Sequence, residues 1–447
     1  MTRIFLQDII EDSRFEDLPP SWNSFDLESF SKSKKLWDYQ QRAVENSIKV
    51  LYRYYEDFAD YQSEEALARN QERKRKFFQW YQDNGLDADL GIKLDKRKRN
   101  IYNLLTTYYP QNNRKISYEH LINRMCFWMA TGSGKTLVII KLIQILKTLM
   151  ERDEIPSCDI LVLTYRDDLI EQFKKLVMEF NYANNEFHIQ LRELKEYPEV
   201  KRQQVLFRNG EVTVFYYRSD NLNDEQKDKI VDFRNYDNDG KWYVFLDEAH
   251  KGDKEESKRQ HLYSILSRNG FLFNSSATFT DARDIVTCAY EFNLSSFINA
   301  GYGKHIAILK QETRAFRDDE NYSSEEKQKV ALKSLILLTY AKFFHANITK
   351  SQESLYHNPL LLTLVNSVNT EDADLKLFFR ELEKIGKGDV EQEVFNSALD
   401  ELWEELKQEP DFIFEDGNKV RVDETSFKSI TTENVLRYIY NSATPGE

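Results

Sequence analysis

Residues 124–136 read Arg-Met-Cys-Phe-Trp-Met-Ala-Thr-Gly-Ser-Gly-Lys-Thr, a short apolar run that leads straight into a loop with two glycines. Residues 137–150 then repeat apolar side chains at the spacing of a helix with one buried side. A strand, a glycine loop and a helix in this order are typical of a phosphate-binding loop. The stretch therefore predicts an α/β fold that holds a phosphorylated ligand at this loop.

The glycine loop contains the groups that a nucleoside triphosphate requires. Gly132 and Gly134, with Ser133 between them, let the backbone turn its N–H groups towards a β-phosphate. Lys135 can neutralise charge on the β- and γ-phosphates, and Thr136 can hold Mg²⁺. We therefore predict that this loop binds ATP and Mg²⁺.

A second motif, Asp247-Glu248-Ala249-His250, follows another short apolar run. Asp247 at the end of a strand can reach Mg²⁺ through water, and Glu248 can orient or deprotonate the attacking water. His250 is a candidate sensor of the γ-phosphate. The alternative is a surface loop in an acidic protein, which the preceding strand and the upstream phosphate loop disfavour. The three residues are therefore candidate catalytic residues, and Asp247 is a candidate Mg²⁺ ligand together with Thr136.

A third motif, Ser276-Ala277-Thr278, follows the apolar run at residues 270–273. The hydroxyls of Ser276 and Thr278 are candidates to hydrogen-bond the Asp-Glu-Ala-His loop and to couple the state of the nucleotide to bound nucleic acid. Serine and threonine also favour ordinary turns, so the motif alone is a weak signal. Its order and spacing relative to the first two motifs favour the coupling role.

The composition is that of a soluble globular protein, with 41% apolar and 31% charged residues. The net charge of −13 argues against a chain that coats nucleic acid over its whole surface, but it permits a local basic channel. Cys126, Cys158 and Cys288 are scattered, so neither a disulfide scaffold nor a zinc site is predicted. No apolar run has the length of a membrane span, and acidic residues follow Met1 too early for a secretory signal. We expect a cytoplasmic protein without membrane contact.

Short apolar strands alternate with helix-like segments downstream of the glycine loop, which predicts a mostly parallel sheet with helices on both faces. Upstream, residues 52–120 are rich in Tyr, Lys, Arg, Gln and Glu and predict a helical insertion. Its basic runs at 69–76 and 96–99 lie among aromatic residues, a combination that can stack bases and hold phosphates. The alternative, which we favour, is that the aromatic residues form the insertion's own core and the basic runs a solvated face.

Five stretches together resemble superfamily-two helicases: D-Y-Q-Q-R-A-V-E at 38–45, A-T-G-S-G-K-T at 130–136, L-T-Y-R-D-D-L-I-E-Q-F at 163–173, D-E-A-H at 247–250 and S-A-T at 276–278. Two features narrow the resemblance to the restriction branch of this superfamily, above all to the Res subunit of type III restriction enzymes. They are Met129, where the generic phosphate loop has glycine, and the R-D-D-L-x-x-Q-F string. The resemblance implies a RecA-like P-loop domain in an ATP-dependent DNA translocase or helicase.

The resemblance also implies roles for individual residues and partners. Gln40 would contact adenine, and Thr164 with Arg166 would contact the nucleic-acid backbone. For Arg166, a structural salt bridge to a nearby carboxylate is an equal alternative. Duplex DNA would be the substrate, and a modification or methyltransferase subunit a possible partner.

In such motors a second RecA-like domain supplies arginines to the ATP, and no matching motif is found before Glu447. We expect the following domains: an N-terminal arm at 1–35, the first RecA-like domain at 36–295, a helical connector at 296–355 and an incomplete second RecA-like domain at 356–447. Because an arginine finger is worth about 10³–10⁵ in rate, hydrolysis by this chain alone should be weak until a second motor domain or partner chain completes it.

Two other functions remain open from the sequence. One is an RNA helicase of the DEAH class, which the basic insertion does not distinguish from a DNA translocase. The other is a nucleotide-binding switch that binds ATP without hydrolysing it. Such switches often lose the catalytic acid, whereas this chain retains Glu248.

Overall fold

The computed structural model describes most of the chain, in two compact units that comprise Met1–Gly303 and Lys304–Glu447. The described residues are 5–58, 66–87, 89–202, 210–225, 227, 229–248, 258–279, 281–302, 324–348, 358–362, 374–407, 412–413, 419–420 and 423–446. All three sequence motifs and Gln40 belong to the first unit.

The first unit consists of strands and helices that alternate along most of its length. Its strands are β1 (Gly91–Lys93), β2 (Lys115–Ser117), β3 (Arg124–Met129), β4 (Asp159–Thr164), β5 (His188–Glu193), β6 (Glu211–Arg218), β7 (Leu222–Asn223), β8 (Val231–Asp232), β9 (Trp242–Asp247), β10 (Phe271–Ser276) and β11 (Cys288–Phe292). Its helices are α1 (Leu6–Ile10), α2 (Pro20–Asn23), α3 (Asp38–Tyr55), α4 (Ala66–Asp83), α5 (Arg99–Tyr108), α6 (Lys135–Glu151), α7 (Asp167–Ala183), α8 (Tyr197–Arg202), α9 (Lys258–Leu266), α10 (Ala282–Val286) and α11 (Leu294–Asn299).

Within the described part of this unit, seven strands form one parallel sheet in the order β11-β3-β10-β9-β4-β6-β5. Every residue of β9 and β10 is buried, as expected for central strands of a parallel sheet that is surrounded by helices. The α/β fold predicted from the alternation of strands and helices is thereby confirmed.

The parallel arrangement brings the carboxyl ends of β3, β4, β9 and β10 to one edge of the sheet. The register places Asp247 beside Thr164 on one side and beside Ser275 on the other. Ser276 in turn pairs with Trp128, just before the glycine loop. Stretches far apart in the sequence therefore meet at a single edge, which is where ligands bind in open α/β sheets.

The predicted insertion at residues 52–120 lies between α3 and β3 and is mainly helical, with the short antiparallel pair β1–β2 in addition. Its aromatic side chains are largely internal. Those buried in the core of the first unit include Tyr54, Tyr55, Phe77, Phe78 and Tyr81. These rings are core residues, as favoured from the sequence, and not a surface on which bases can stack.

The first basic run of the insertion is also partly internal. Arg73 is 4% exposed and lies over the rings of Tyr54 and Tyr55. Lys74 is 6% exposed, and its Nζ donates to backbone carbonyls at both His120 (3.0 Å) and Arg268 (2.7 Å). Burial lowers the pKa of Lys74 to about 7. These two cations therefore fix α4 to the rest of the unit and are not available to phosphates.

The segment predicted as an N-terminal arm at residues 1–35 packs on the first unit over its described part. Trp22 and Phe30 are buried in the same core as the sheet. The Trp22 Nε1 donates to a carboxylate oxygen of Glu154 at 2.7 Å.

The domain boundary predicted after residue 295 falls inside α11, where the ring of Phe297 packs on that of Phe292.

A buried ion pair joins the start of β3 to α10. Arg124 Nη1 and Asp284 Oδ1 are 3.2 Å apart, and the two side chains are 3% and 1% exposed. Asp284 also accepts a hydrogen bond from Asn274 Nδ2, on β10, at 2.9 Å. The carboxylate of Asp284 therefore connects α10 to two neighbouring strands of the sheet, β3 and β10.

Replacing Asp284 with alanine is expected to lower the free energy of unfolding by about 3–5 kcal/mol, because Arg124 would remain buried without its carboxylate. Urea denaturation followed by circular dichroism measures this change. The control is Glu171→Ala. The Glu171 side chain is 61% exposed and pairs with Lys174 at the surface, so its removal should change stability little. Equal stability of the Asp284 variant and the wild type would show that the pair does not hold these elements together.

The second unit is mainly helical over its described residues. Its helices are α12 (Ser324–Ile348), α13 (Asp374–Lys387), α14 (Gln392–Leu406), α15 (Glu424–Lys428) and α16 (Thr432–Val435), and its strands are β12 (Phe412–Ile413) and β13 (Lys419–Val420). The two strands pair antiparallel. Its core contains apolar residues of α12, α14 and α15, among them Leu335, Phe395, Leu402 and Phe427.

The apolar run L-L-L-T-L-V that follows Pro359 is of the kind that predicts a buried strand, but no strand is formed at its beginning. Residues 358–362 are not in a strand, and Leu360 and Leu362 are 86% and 76% exposed. The rest of that predicted strand lies outside the described residues. The assignment of residues 356–447 to a second RecA-like domain therefore stays a prediction. In the part of the chain that the structure describes, no helix combines the length and the apolar character needed to cross a bilayer.

Candidate nucleotide-binding site

The glycine loop adopts the backbone conformation for which its sequence is suited. Gly132 has φ +84° and Gly134 has φ +79°, in the left-handed region that side chains with a Cβ avoid. A Cβ at Gly134 would also lie 2.4 Å from Nε2 of Gln40. A Cβ at Gly132 would meet no described atom within 4 Å, so open space lies beside this part of the loop. The loop then passes into α6 at Lys135.

The N-terminal end of α3 holds the loop from outside. Gln40 Nε2 and the Tyr39 hydroxyl both donate to the backbone carbonyl of Ser133, at 2.7 and 2.8 Å. Gln40 Oε1 accepts from the backbone N–H of Trp37 at 2.9 Å and so closes the first turn of the helix. Gln40 is 4% exposed. Its amide therefore positions the phosphate loop, and the adenine contact implied by the resemblance stays a prediction.

Lys135 places its ammonium group inside the curve of the loop. The Nζ donates to the carbonyls of Met129 and Ala130 at 3.4 and 3.3 Å, and it lies 3.9 Å from Glu248 Oε1. The side chain is 7% exposed. These contacts are long, so an anionic ligand in the loop can compete for the same ammonium group.

Asp247 and Thr136 lie side by side, at the end of β9 and at the start of α6. The Thr136 hydroxyl is a near neighbour of the Asp247 carboxylate. Burial raises the pKa of Asp247 to about 6; Lys135 opposes this shift, and the neighbouring charge of Glu248 adds to it. A carboxylate and a hydroxyl are oxygen ligands of the kind that Mg²⁺ takes, and a divalent cation would compensate the buried negative charge. The residues present therefore fit a Mg²⁺ ion.

Glu248 has a backbone conformation that few residues with a side chain adopt. Its φ is +63°, which places it in the left-handed region immediately after β9. Such a conformation costs roughly 1–3 kcal/mol and is often found at functional sites. The turn brings the carboxylate, on a side chain 23% exposed, next to Lys135 and to the mouth of the loop. His250 lies outside the described residues, so its role as a γ-phosphate sensor stays a prediction.

Thr164 and Arg166 lie at the carboxyl end of β4, the strand that pairs with β9. Thr164 is 2% exposed, and its Oγ1 donates to the carbonyl of Arg166 at 3.2 Å. The Arg166 guanidinium forms a two-point ion pair with Asp168, with Nε 2.8 Å from Oδ1 and a second contact from Nη2 to Oδ2. The salt bridge that was an alternative for Arg166 is therefore formed. Because the Arg166 side chain is 63% exposed, this pair can be exchanged for a phosphate.

Ser276 and Thr278 form a local turn at the end of β10. The Ser276 hydroxyl donates to the carbonyl of Thr278 at 2.7 Å and accepts from its N–H at 3.1 Å. Trp128 Nε1 donates to the carbonyl of Ala277 at 2.9 Å and ties this turn to the strand before the glycine loop. The turn lies beside β9, but the coupling role of the two hydroxyls stays a prediction.

An exposed aromatic pair next to Gln40 was not identified from the sequence. The rings of Trp37 and Tyr302 stack with centroids 4.8 Å apart, and the residues are 51% and 40% exposed. Both rings also contact Tyr39, whose hydroxyl binds the glycine loop. Only the fold brings Trp37 and Tyr302 together, because α11 returns to the N-terminus of α3. The pair adds a flat apolar surface beside the phosphate loop.

Comparison with known proteins agrees with this geometry. Residues 33–281 match the ResIII family, described as "Type III restriction enzyme, res subunit", and this match covers more than half of the 447 residues. The chain belongs to the ResIII family. The matched region contains Gln40, the glycine loop, the Asp247–Glu248 pair and the Ser276–Thr278 turn. The first unit is therefore a RecA-like, helicase-like ATPase domain with a helical insertion.

Among solved structures, this ResIII chain is similar to the crystal structure of the UvsW helicase from Bacteriophage T4. The two are 11% identical, with 45% of this chain and 69% of the helicase chain covered and a TM-score of 0.24. Among curated proteins, no sequence matches the chain significantly.

Proposed function

We propose that this ResIII chain is the ATP-binding motor part of a DNA translocase or helicase of a type III restriction-modification-like system. It hydrolyses ATP when a second RecA-like domain completes the site, either in the same polypeptide or in a partner chain. The observation that carries the proposal is the convergence of Lys135, Thr136, Asp247 and Glu248 at one edge of a parallel sheet. A cytoplasmic location and a modification or methyltransferase partner follow from this role.

The residues divide the work of phosphoryl transfer between them. Bound Mg²⁺ supplies positive charge to the β- and γ-phosphate oxygens, and Thr136 and Asp247 are the residues that would hold it. Lys135 exchanges its long hydrogen bonds to loop carbonyls for phosphate oxygens. Glu248, at the mouth of the loop, orients the attacking water and accepts its proton.

ATPase assays with no nucleic acid, with duplex DNA and with single-stranded RNA test the proposal. For the 447-residue chain alone we expect turnover near background, because the arginines of a second domain are worth about 10³–10⁵ in rate. After addition of the completing domain, duplex DNA should stimulate turnover most. Stronger stimulation by RNA would favour the RNA helicase, and robust DNA-stimulated turnover by the isolated chain would contradict the need for further arginines.

Replacing Gln40 with alanine separates two roles of this residue. If Gln40 both holds the loop and contacts the base, the variant should lose affinity for ATP by about ten-fold or more and lose preference for ATP over GTP. Titration with ATP, GTP and inorganic triphosphate measures both effects. An equal loss for all three ligands would show that Gln40 only positions the loop. As a control, Gln41→Ala removes the next side chain, which donates to the Leu36 carbonyl and does not contact the loop's Ser133.

A further inference from the structure

A cavity of about 190 Å³ lies in the first unit between the insertion and α9. It is lined by β1 and the loop after it, by one side of α5 and by one residue of α9. The lining residues are Ile92, Lys93, Leu94, Asp95, Lys98, Ile101, Tyr102, Leu105 and His261. A cavity of this size can hold a single planar ring system, since an engineered cavity of about 150 Å³ takes up benzene.

His261 gives the cavity a polar wall that the described residues leave open. The residue is 1% exposed, it lines the cavity, and none of the described residues forms a hydrogen bond to its ring. Burial, together with the charges of Arg283 and Arg124, lowers the pKa of His261 to about 3. The ring is therefore neutral at physiological pH and has one donor and one acceptor nitrogen for a ligand. Buried polar groups of this kind normally have partners.

The charged residues of the cavity lining are mainly cationic. Lys93 and Lys98 line the cavity, and the basic run at 96–99 leads into the N-terminus of α5. The N-cap residue of α5 makes no side-chain capping hydrogen bond, so N–H groups of the first turn remain open to an anion. Asp95, the acidic residue among the described lining residues, is paired with the Arg97 guanidinium, whose Nη2 lies 2.9 Å from Oδ2.

We infer that this cavity binds an unpaired nucleotide, with its base inside, beside His261 and Tyr102, and with its phosphate at the basic run. The inference rests on the proposed function, since a nucleotide within a single strand is the source that a translocase would meet. A free nucleoside monophosphate has the same chemistry. The aromatic and apolar lining receives the flat ring, and the neutral imidazole pairs with one of its polar edges.

The cavity lies between the insertion and a helix that follows the catalytic motif in the sequence. His261 belongs to α9, the first helix described after the Asp247–Glu248 motif. The other lining residues belong to the insertion. A nucleotide in the cavity would therefore connect the insertion to the helix that follows the catalytic carboxylates in the sequence.

The test uses fluorescence anisotropy of the full chain carrying Lys135→Ala, so that the glycine loop does not compete for nucleotide. The probes are a labelled twelve-nucleotide thymidine strand and an abasic strand of the same length. The variant His261→Leu should reduce the preference for the base-containing strand by about ten-fold, because base contacts are lost. Arg97→Ala should weaken both strands to a similar extent, because it removes a cation from the basic run and leaves the Asp95 carboxylate without its partner, and both changes oppose phosphate binding. Ile101→Trp, which fills the cavity, should act like His261→Leu.

The outcomes separate the inference from the function on which it rests. Competition by thymidine monophosphate would assign the cavity to free nucleotide, and failure to compete would assign it to a single strand. An unchanged preference in His261→Leu and Ile101→Trp, in proteins with wild-type melting temperatures, would overturn the inference and leave the motor function intact. If neither strand bound to any variant or to the wild-type chain, both the cavity site and the nucleic-acid function would be wrong.

Discussion

Replacing Lys135 with alanine is expected to weaken ATP binding by about 100-fold or more. The ammonium group lies inside the glycine loop with long hydrogen bonds to two carbonyls and 3.9 Å from Glu248 Oε1, so a ligand phosphate at hydrogen-bond distance would be its strongest partner. Charge-assisted hydrogen bonds contribute roughly 1.5–3 kcal/mol each, and about 1.4 kcal/mol corresponds to ten-fold in affinity. Isothermal titration calorimetry with ATP and Mg²⁺ measures the effect.

The matched control is Lys147→Ala on the same helix. Lys147 lies three turns further along α6, about 18 Å from Lys135 along the helix axis, and pairs with Glu151 at 3.1 Å. Its removal should leave ATP affinity within about two-fold of the wild type. If both variants bound ATP as tightly as the wild type, the glycine loop would not be the nucleotide site.

Replacing Glu248 with glutamine is expected to keep ATP binding and to slow hydrolysis by about 10²–10⁴-fold. Glutamine keeps the size of the side chain but cannot accept the proton of the attacking water. Binding should be retained. Burial is the main cause of the raised pKa of Asp247, and removal of the Glu248 charge, which adds to that shift, lets Asp247 ionise more readily. Long single-turnover incubations with the chain in excess over ATP, with duplex DNA and the completing domain present, measure the rate.

Glu171→Gln is the control for this variant. It makes the same chemical change on α7, where the carboxylate is 61% exposed and pairs with Lys174. It should leave hydrolysis unchanged. A Glu248→Gln chain that hydrolysed ATP at the wild-type rate would assign catalysis to another group, and one whose every nucleic-acid activity was unaffected would favour the nucleotide-binding switch.

Much of the site could be predicted from sequence, because local order and chemistry specify it. The strand, the two glycines and Lys135 lie in one short stretch of sequence. The glycines adopt positive φ without strain, so the shape of the loop depends little on contacts with distant residues. Asp247 and Thr136 are far apart in sequence. Asp247 ends β9, and Thr136 follows the carboxyl end of β3 through the glycine loop. Because parallel strands have their carboxyl ends at one edge of the sheet, the proximity of the two residues follows from the fold class. The local motif and the topology therefore agree.

Other features depend on tertiary partners that the sequence does not display. Lys74 belongs to a basic run that resembles a solvated face, but backbone carbonyls from two distant segments draw it inside. The left-handed backbone of Glu248 has no local signature, since glutamate rarely adopts it. Leu360 and Leu362 resemble a buried strand in their apolar character alone, and the structure leaves them exposed.

The stacking of Trp37 on Tyr302 could not be anticipated for a related reason. The two residues lie near opposite ends of the first unit's sequence, and only the return of α11 to the start of α3 brings their rings within 4.8 Å. His261 likewise has no motif around it, and its placement depends on how the insertion packs on α9. Neither the Trp37–Tyr302 contact nor the position of His261 beside the insertion could be predicted from spacing. Each joins segments that are far apart in the sequence and share no motif.

The most direct measurement is a crystal structure of the chain with Mg²⁺ and a non-hydrolysable ATP analogue. We expect the triphosphate in the loop at residues 130–136, with Lys135 Nζ on its oxygens. The metal should be held by the Thr136 hydroxyl with the Asp247 carboxylate beside it, and Glu248 should face the terminal phosphate. An analogue bound elsewhere, or a metal remote from both Thr136 and Asp247, would show that these residues do not form one nucleotide site.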